Sequence, residues 1–424
     1  MKQYRKRIAD LLLARKLEGK GAVLVEGAKW CGKTTTSEQI AGSVLYLSDP
    51  DKKAQYLEMA ELSPRALLAG RTPRLLDEWQ LAPKLWDAIR FEVDHRDGLG
   101  LFILTGSAVP PDLGEIHHSG TGRFARLKMR PMSLFESGES SGGVSLAELF
   151  RGRREFDVVK GISIEELAFL VCRGGWPKAL EMRGATALEQ AFDYCDAVIQ
   201  SDMSRVDNVS RDPARTRRLM RAYARLQGTQ AANTVIKADI AANDNANFGD
   251  DTLYSYISAL KKIFVIEDMA AWNPNLRSKT AIRTSDTRYF VDPSIASAVL
   301  GLGPEDLLND LETFGLLFET MCIRDLRVYA DAVNGQVYHY RDASGLECDA
   351  VIHLRNGAYG LVEIKLGGDK LIEEGAAVLK KLGEKLDTSR MKAPAFKMVL
   401  TGVGEYAYMR RDGVLVVPVG GLKD

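Results

Sequence analysis

AVLVEGAKWCGKTTTSEQIAG, residues 22–42, decides how this chain is to be read. A short apolar run stops at Glu26, Gly27 and Gly32 bracket four residues, and Lys33 and Thr34 follow at once. The apolar, β-branched run predicts a buried strand, and the residues after Thr34 predict a helix. Between them lies the spacing G-x-x-x-x-G-K-[ST]. Its glycines let the backbone curl until its N–H groups point at phosphate oxygens, while Lys33 reaches the terminal phosphates and Thr34 ligates Mg²⁺. Gly27, Gly32, Lys33, Thr34 and Thr35 are therefore the candidate phosphate contacts. A plain strand–turn–helix is the other reading, and the surrounding pattern decides against it. Trp30 and Cys31 inside the loop read as side chains packed beneath it. Cys31 beside Lys33 is also open to a lowered pKa and oxidation.

Working outward, short apolar strands alternate with helical stretches: VLYLS at 44–48, RLLDE at 74–78 and LFILTGS at 101–107. That rhythm predicts a parallel sheet wrapped by helices. A phosphate loop needs a carboxylate at the end of a neighbouring strand. RLLDEW supplies Asp77, placed to hold Mg²⁺ through water, and Glu78, placed to orient the attacking water. Thr105 and Ser107 end the next strand, where a polar side chain can sense the γ-phosphate or simply terminate the strand. Beyond it, GTGRFARLKMR carries Arg123 and Arg126. Arg123 reads either as a finger reaching a neighbouring subunit's γ-phosphate or as a surface residue.

At 424 residues the chain exceeds one ordinary core, and two or three domains are expected. Lys+Arg and Asp+Glu balance at 57 each, so no global field favours nucleic acid or a membrane surface. Cys31, Cys172, Cys195, Cys322 and Cys348 are scattered without C-x-x-C spacing, which gives neither a disulfide framework nor a zinc site. A reduced, cytoplasmic protein is expected. The basic N-terminus, MKQYRKRIADLLLARKL, reads as an amphipathic helix. No run approaches the ~18 apolar residues of a membrane span. SGESSGG, near Ser137, reads as a flexible break.

The middle of the chain is helical. PARTRRLMRAYARLQG places Leu219, Ala222, Tyr223 and Leu226 on one helix face, and Arg217, Arg218, Arg221 and Arg225 within an opposite arc of roughly 100°. TVIKADIAAND and DTLYSYISALKKIFVIEDM follow as two more helices before a hairpin, the winged-helix order. The third helix opens on Asp250 and Asp251, which phosphates repel, so the arginine face is the better candidate for duplex DNA. A structural or partner-binding module remains the alternative.

Strands return after about residue 305. In ECDAVIHLRNGAYGLVEIK, Asp349 starts one strand, and Glu363 and Lys365 share a face of the next. Two acids and a lysine meeting across a β-pair can hold Mg²⁺ and activate water against a phosphodiester. Glu319, in the preceding helix, can join as a further ligand. Charges on the apolar strand LVEIKL need a reason. A strand's wet face is the other reading, and the apolar flanks of Glu363 and Lys365 weigh against it.

Together GAKWCGKTTT, RLLDEWQLAPKLWDAI, FILTGSA, GRFARLKMRPMSLFE, RGGWPKAL and the ending Gly345, Glu347, Asp349, Glu363, Lys365 resemble a large prokaryotic family of AAA-type P-loop ATPases with a C-terminal domain of uncharacterised function. The likeness spans nearly the whole chain. It implies an α/β protein with an AAA-type ATPase domain at 1–150, a helical winged-helix-like domain at 151–304, and a core similar to PD-(D/E)XK (restriction-endonuclease-like) nucleases at 305–424. It also implies ATP and Mg²⁺ at Lys33, Thr34, Asp77 and Glu78, with Asp349, Glu363 and Lys365 on the nuclease triad and Glu319 on its helix acid. The family loop usually reads Gly-Pro-Arg-Gln-Val-Gly-Lys-Thr. Here Ala28, Lys29, Trp30 and Cys31 replace its middle. The expected activity is ATP hydrolysis that acts on DNA, with a metal-dependent nuclease-like domain. The alternative is a nucleotide-dependent switch that binds a protein or DNA partner without cutting. A third reading makes the distal domains structural. Arg123 hints at a homo-oligomer, and no membrane partner is expected.

Overall fold

The computed structural model describes residues 4–108, 120–157, 159–207, 209–273 and 285–424. The chain packs as two compact units. The first comprises Met1–Pro131, Ala197–Pro213 and Ser255–Val265, and the second the remainder.

In the first unit the apolar runs become β1 (Ala22–Glu26), β2 (Ser43–Tyr46), β3 (Arg74–Asp77), β4 (Phe102–Gly106) and β5 (Phe124–Lys128). All are parallel, in the order β2-β3-β4-β1-β5. The central strands β1 and β4 are buried along almost their whole length, which is why they read as unbroken apolar runs. The helix Leu85–His95 buries Leu85, Trp86 and Ile89. Trp86 stacks on Phe124 with ring centroids 3.9 Å apart. The N-terminal helix, Ile8–Gly19, buries Ile8, Leu12, Leu13 and Leu17.

The second unit holds β6 (Val144–Ser145), β7 (Gly335–Arg341), β8 (Glu347–Leu354), β9 (Tyr359–Lys365), β10 (Phe396–Thr401), β11 (Tyr408–Met409), β12 (Leu415–Pro418) and β13 (Leu422–Lys423). Its mixed sheet runs β11-β12-β10-β9-β8-β7. β7, β8 and β9 are antiparallel neighbours, whereas β9, β10 and β12 run parallel. Tyr359 and Leu361 of β9 pack with Ala376, Leu379 and Leu382 of the helix Asp369–Lys385. By strand alternation Glu363 and Lys365 lie on that same face.

The middle of the chain forms the helices Pro213–Arg225, Asn233–Asp244 and Asp250–Lys262. Antiparallel bridges Ile266↔Phe290 and Met269↔Thr287 follow, and Ala271 bridges in parallel to His339 of β7. Trp272, whose amide donates to the His339 carbonyl at 2.7 Å, is buried in the core of the C-terminal sheet. The hairpin is thus continuous with that sheet.

Two expectations are corrected, and the arginine face is found to have acid partners. SGESSGG is not a loose break: the Ser140 hydroxyl donates to the Leu422 carbonyl at 2.7 Å, the Ser141 amide donates to the Gly420 carbonyl at 2.8 Å, and β6 pairs with β13. On the arginine face, three of the four side chains have acid partners. Arg225 donates to Asp239 and Asp244, Arg221 lies 3.9 Å from Asp244, and Arg217 pairs with Asp196. These acids come from neighbouring helices, which a single-helix projection cannot register. Trp30 does not pack beneath the loop. It is 45% exposed with φ 65°, while Cys31 is buried.

The RGGWP and MSLFE stretches meet at a buried ion network. Arg324 joins Asp292 at 2.8 Å and Asp325 at 2.7 Å. Asp292 also accepts from the Gly175 amide, Asp325 accepts from the Leu134 amide, and the Trp176 indole donates to Ser294. Among the described residues no helix is long and apolar enough to cross a membrane. All five cysteines are free and buried.

Candidate nucleotide site and C-terminal acidic cluster

The loop after β1 needs both its glycines. A Cβ on Gly27 would come within 2.0 Å of the Met129 carbonyl oxygen, so the backbone passes too close for any side chain. Gly32 precedes the helix Lys33–Glu38 with φ 99°, a left-handed conformation that glycine adopts without steric cost. Lys33 is buried, and its ammonium donates to the Ala28 carbonyl at 2.8 Å, across the loop. The Thr34 hydroxyl donates to Asp77 Oδ1 at 2.7 Å, and the Thr105 hydroxyl donates to the same oxygen at 2.6 Å. Glu78, at φ 56°, accepts from the Ser107 hydroxyl at 3.1 Å and from the Gln80 amide. The ends of β1, β3 and β4 thus bring Lys33, Thr34, Asp77, Glu78, Thr105 and Ser107 together. Thr35 is not part of this network: its side chain is exposed on the first turn of the helix.

Two supports were not legible in the sequence. Arg7, buried, donates to the Cys31 carbonyl at 2.9 Å and to the Arg130 carbonyl at 2.8 Å, so the N-terminal segment braces the loop. Lys29 pairs with buried Asp202 at 2.5 Å, a contact spanning 173 residues. Arg7 looked like one more charge in a basic N-terminus, and nothing local singles out Asp202.

In the second unit Asp349 on β8 meets Glu363 and Lys365 on β9. The Lys365 ammonium lies 2.8 Å from Glu363 and 3.3 Å from Asp349. Asp349 also accepts from the Ile364 amide at 2.7 Å. Glu319, on the helix Leu311–Ala332, accepts from the phenol of fully buried Tyr289. Burial, reinforced by the charge of Asp349, pushes the carboxyl groups of Glu319 and Glu363 each up to about 8. Burial opposes the charge of Lys365, but Asp349 and Glu363 outweigh it and raise its proton affinity. Glu347 stands apart, exposed and paired with Arg341 at 2.9 Å. Among the described residues no three acids converge closely enough to cage a metal ion. Lys365 sits between two of them and Tyr289 holds the third. Carboxylates are the oxygen donors that a hard divalent cation takes, but these three are not gathered into one ligand set.

Residues 19–137 match the family model described as an AAA domain. This segment is similar to P-loop domains of the AAA type. Residues 164–306 and 314–422 match two domains of unknown function, DUF8612 and DUF4143. No curated protein matches the chain. Among solved structures, a Walker-type ATPase of Pyrococcus abyssi matches at 15% identity over 70% of this chain and 96% of its own, with a TM-score of 0.42. The Drosophila ORC bound to DNA matches at 15% identity over 69% and 84%, with a TM-score of 0.19. At these scores neither likeness bears on function.

Within the AAA domain, the two arginines on and beside β5 are engaged by their own chain. Arg123 pairs with Asp94 at 2.8 Å and Arg126 with Glu26 at 2.9 Å. Both keep exposed side chains, so water screens these pairs.

Proposed function

We propose that the AAA domain binds Mg²⁺–ATP and hydrolyses it, and that the second unit acts on DNA. The observation that carries the first part is Thr34 of the phosphate loop bonded to Asp77 at the end of β3, with Thr105 on the same oxygen and the adjacent Glu78 held by Ser107. Lys33 would leave the Ala28 carbonyl for the β/γ-phosphates, and Gly27 and Gly32 would present backbone N–H groups to them. Thr34 and Asp77 would hold Mg²⁺, which neutralises phosphate charge when bound. Glu78 would orient the attacking water, and Ser107 would keep its carboxylate in place. Arg123 can serve a neighbouring copy only by leaving Asp94.

For the second unit, Asp349, Glu363 and Glu319 would hold Mg²⁺, and Lys365 would position water against a phosphodiester. The placement of Lys365 between Asp349 and Glu363 supports this nuclease-like reading. The helices Pro213–Arg225, Asn233–Asp244 and Asp250–Lys262 with the following hairpin support a winged-helix-like module. The acid partners on the arginine face favour a second reading, in which nucleotide state governs binding of a protein partner without cleavage.

ATP turnover measured with and without duplex DNA, at low and moderate salt, separates the two. Stimulation that fades as salt rises supports action on DNA. Turnover indifferent to DNA supports the protein-partner switch. Divalent-metal-dependent cleavage lost in Lys365→Ala would establish the nuclease site.

A further inference from the structure

Gln80 lies two residues beyond Glu78, in the short turn after β3. Its amide nitrogen donates to Glu78 Oε2, the oxygen that also accepts from Ser107. Its carbonyl oxygen, Oε1, is buried and accepts no hydrogen bond among the described residues. That oxygen lies beside Gly106, where an added Cβ would stand 3.0 Å from it. The side chain therefore crosses from the end of β3 to the end of β4, between Thr105 and Ser107.

Leaving a buried carbonyl unsatisfied costs roughly 1–3 kcal/mol. A residue kept only for packing would avoid that cost with an apolar side chain of the same size. Turning the amide over would satisfy nothing, because it would set Oε1 against the Glu78 carboxylate. What the arrangement secures is one donor on one oxygen of Glu78. With Oε2 fixed by Gln80 and Ser107, the second oxygen, Oε1, is the one left to meet water. Glu78 itself is held at φ 56°, outside the regions ordinary residues favour. Such a backbone setting needs its side chain anchored if the carboxylate is to point one way.

We propose that Gln80 is a positioning residue for ATP hydrolysis, fixing the Glu78 carboxylate so that its free oxygen orients the attacking water. This rests on the reading of Glu78 as the water-orienting group. Gln80→Glu keeps the length of the side chain and loses the donor, and Gln80→Leu removes both polar atoms. Both should lower kcat by roughly 10- to 100-fold, the worth of a hydrogen bond to a charged group. The affinity for a fluorescent ATP analogue should stay within about twofold, because Gln80 does not act through the phosphates. This affinity also reports that each variant has folded.

The deciding measurement is a double-mutant cycle. In a Glu78→Gln background, Gln80→Leu should change the residual rate no further, since Gln80 acts only through Glu78. Equal effects of Gln80→Leu in both backgrounds would assign it a structural role and overturn the proposal, as would wild-type kcat in Gln80→Glu. Failure of the underlying reading looks different. There Glu78→Gln alone would turn over at the wild-type rate, and both inferences would fall together.

Discussion

The Thr34 hydroxyl and the Asp77 carboxylate meet at 2.7 Å, joining the phosphate loop to the end of β3. The same Asp77 oxygen takes the Thr105 hydroxyl. One carboxylate oxygen therefore holds two strand ends in register before any nucleotide arrives. Thr34→Val should weaken Mg²⁺-dependent binding of an ATP analogue by about 10-fold, or roughly 1.4 kcal/mol. Thr105→Val should leave that affinity nearly unchanged and lower the melting temperature instead. Titrating the analogue with Mg²⁺ and with EDTA checks this. Equal losses in the two variants would mean that Thr34 only braces Asp77. Lys33→Ala should abolish turnover, and Glu78→Gln should retain bound ATP.

Lys29 and Asp202 make an unequal pair: the lysine side chain is 43% exposed and the aspartate 9%. Removing the exposed partner leaves a buried carboxylate without its cation, whereas removing the buried charge frees a lysine that water already reaches. Lys29→Met should therefore destabilise the first unit more than Asp202→Asn, by at least about 1 kcal/mol. Denaturant unfolding of both variants decides it. Equal losses would assign Lys29 an ordinary surface pair.

Arg324 is the second unit's most exacting residue. Its guanidinium and both carboxylate partners are buried, and the amides of Gly175 and Leu134 hang on those carboxylates. Arg324→Met should cost about 3–5 kcal/mol, because it strands two buried acids. Changing Asp292 and Asp325 to Asn in the same chain should recover part of that. Thermal unfolding reads both variants, and a melting temperature unchanged in Arg324→Met would refute the account.

How far the sequence could be read follows from the range over which each feature is determined. The strands β1, β3 and β4 and the loop between β1 and its helix are local: apolar runs, glycine positions and the Lys33–Thr34 pair identify themselves. Asp349, Glu363 and Lys365 were legible as well, because charges on an apolar strand are conspicuous and strand period places two of them on one face. Contacts between distant segments were not. Asp239 and Asp244 pair with arginines of another helix, Leu422 secures Ser140, and Asp202 reaches Lys29 across the chain. RGGWPKAL entered only as part of the family resemblance, and its partners Asp292 and Arg324 carry no local signal that they belong with it.

Asp342 gives the second unit a defined acid limit. Fully buried in the hairpin between β7 and β8, it accepts from Lys385, from the Ser344 amide at 2.8 Å and hydroxyl at 2.6 Å, and from Tyr340 at 3.1 Å. Burial alone would raise its proton affinity, but these donors, Lys385 foremost, hold its carboxyl well below the usual carboxylate range. A depressed folded-state value means that its stabilisation is fully present above the unfolded value of about 4. It is lost as pH falls through the folded value. Wild-type protein should therefore lose melting temperature more steeply below pH ~4 than Asp342→Asn, whose amide does not titrate. The other carboxylates act alike in both proteins, so the difference between the two curves isolates Asp342. That difference should be largest near neutrality and shrink in acid. Parallel curves across the whole range would show that Asp342 keeps the same proton affinity folded and unfolded.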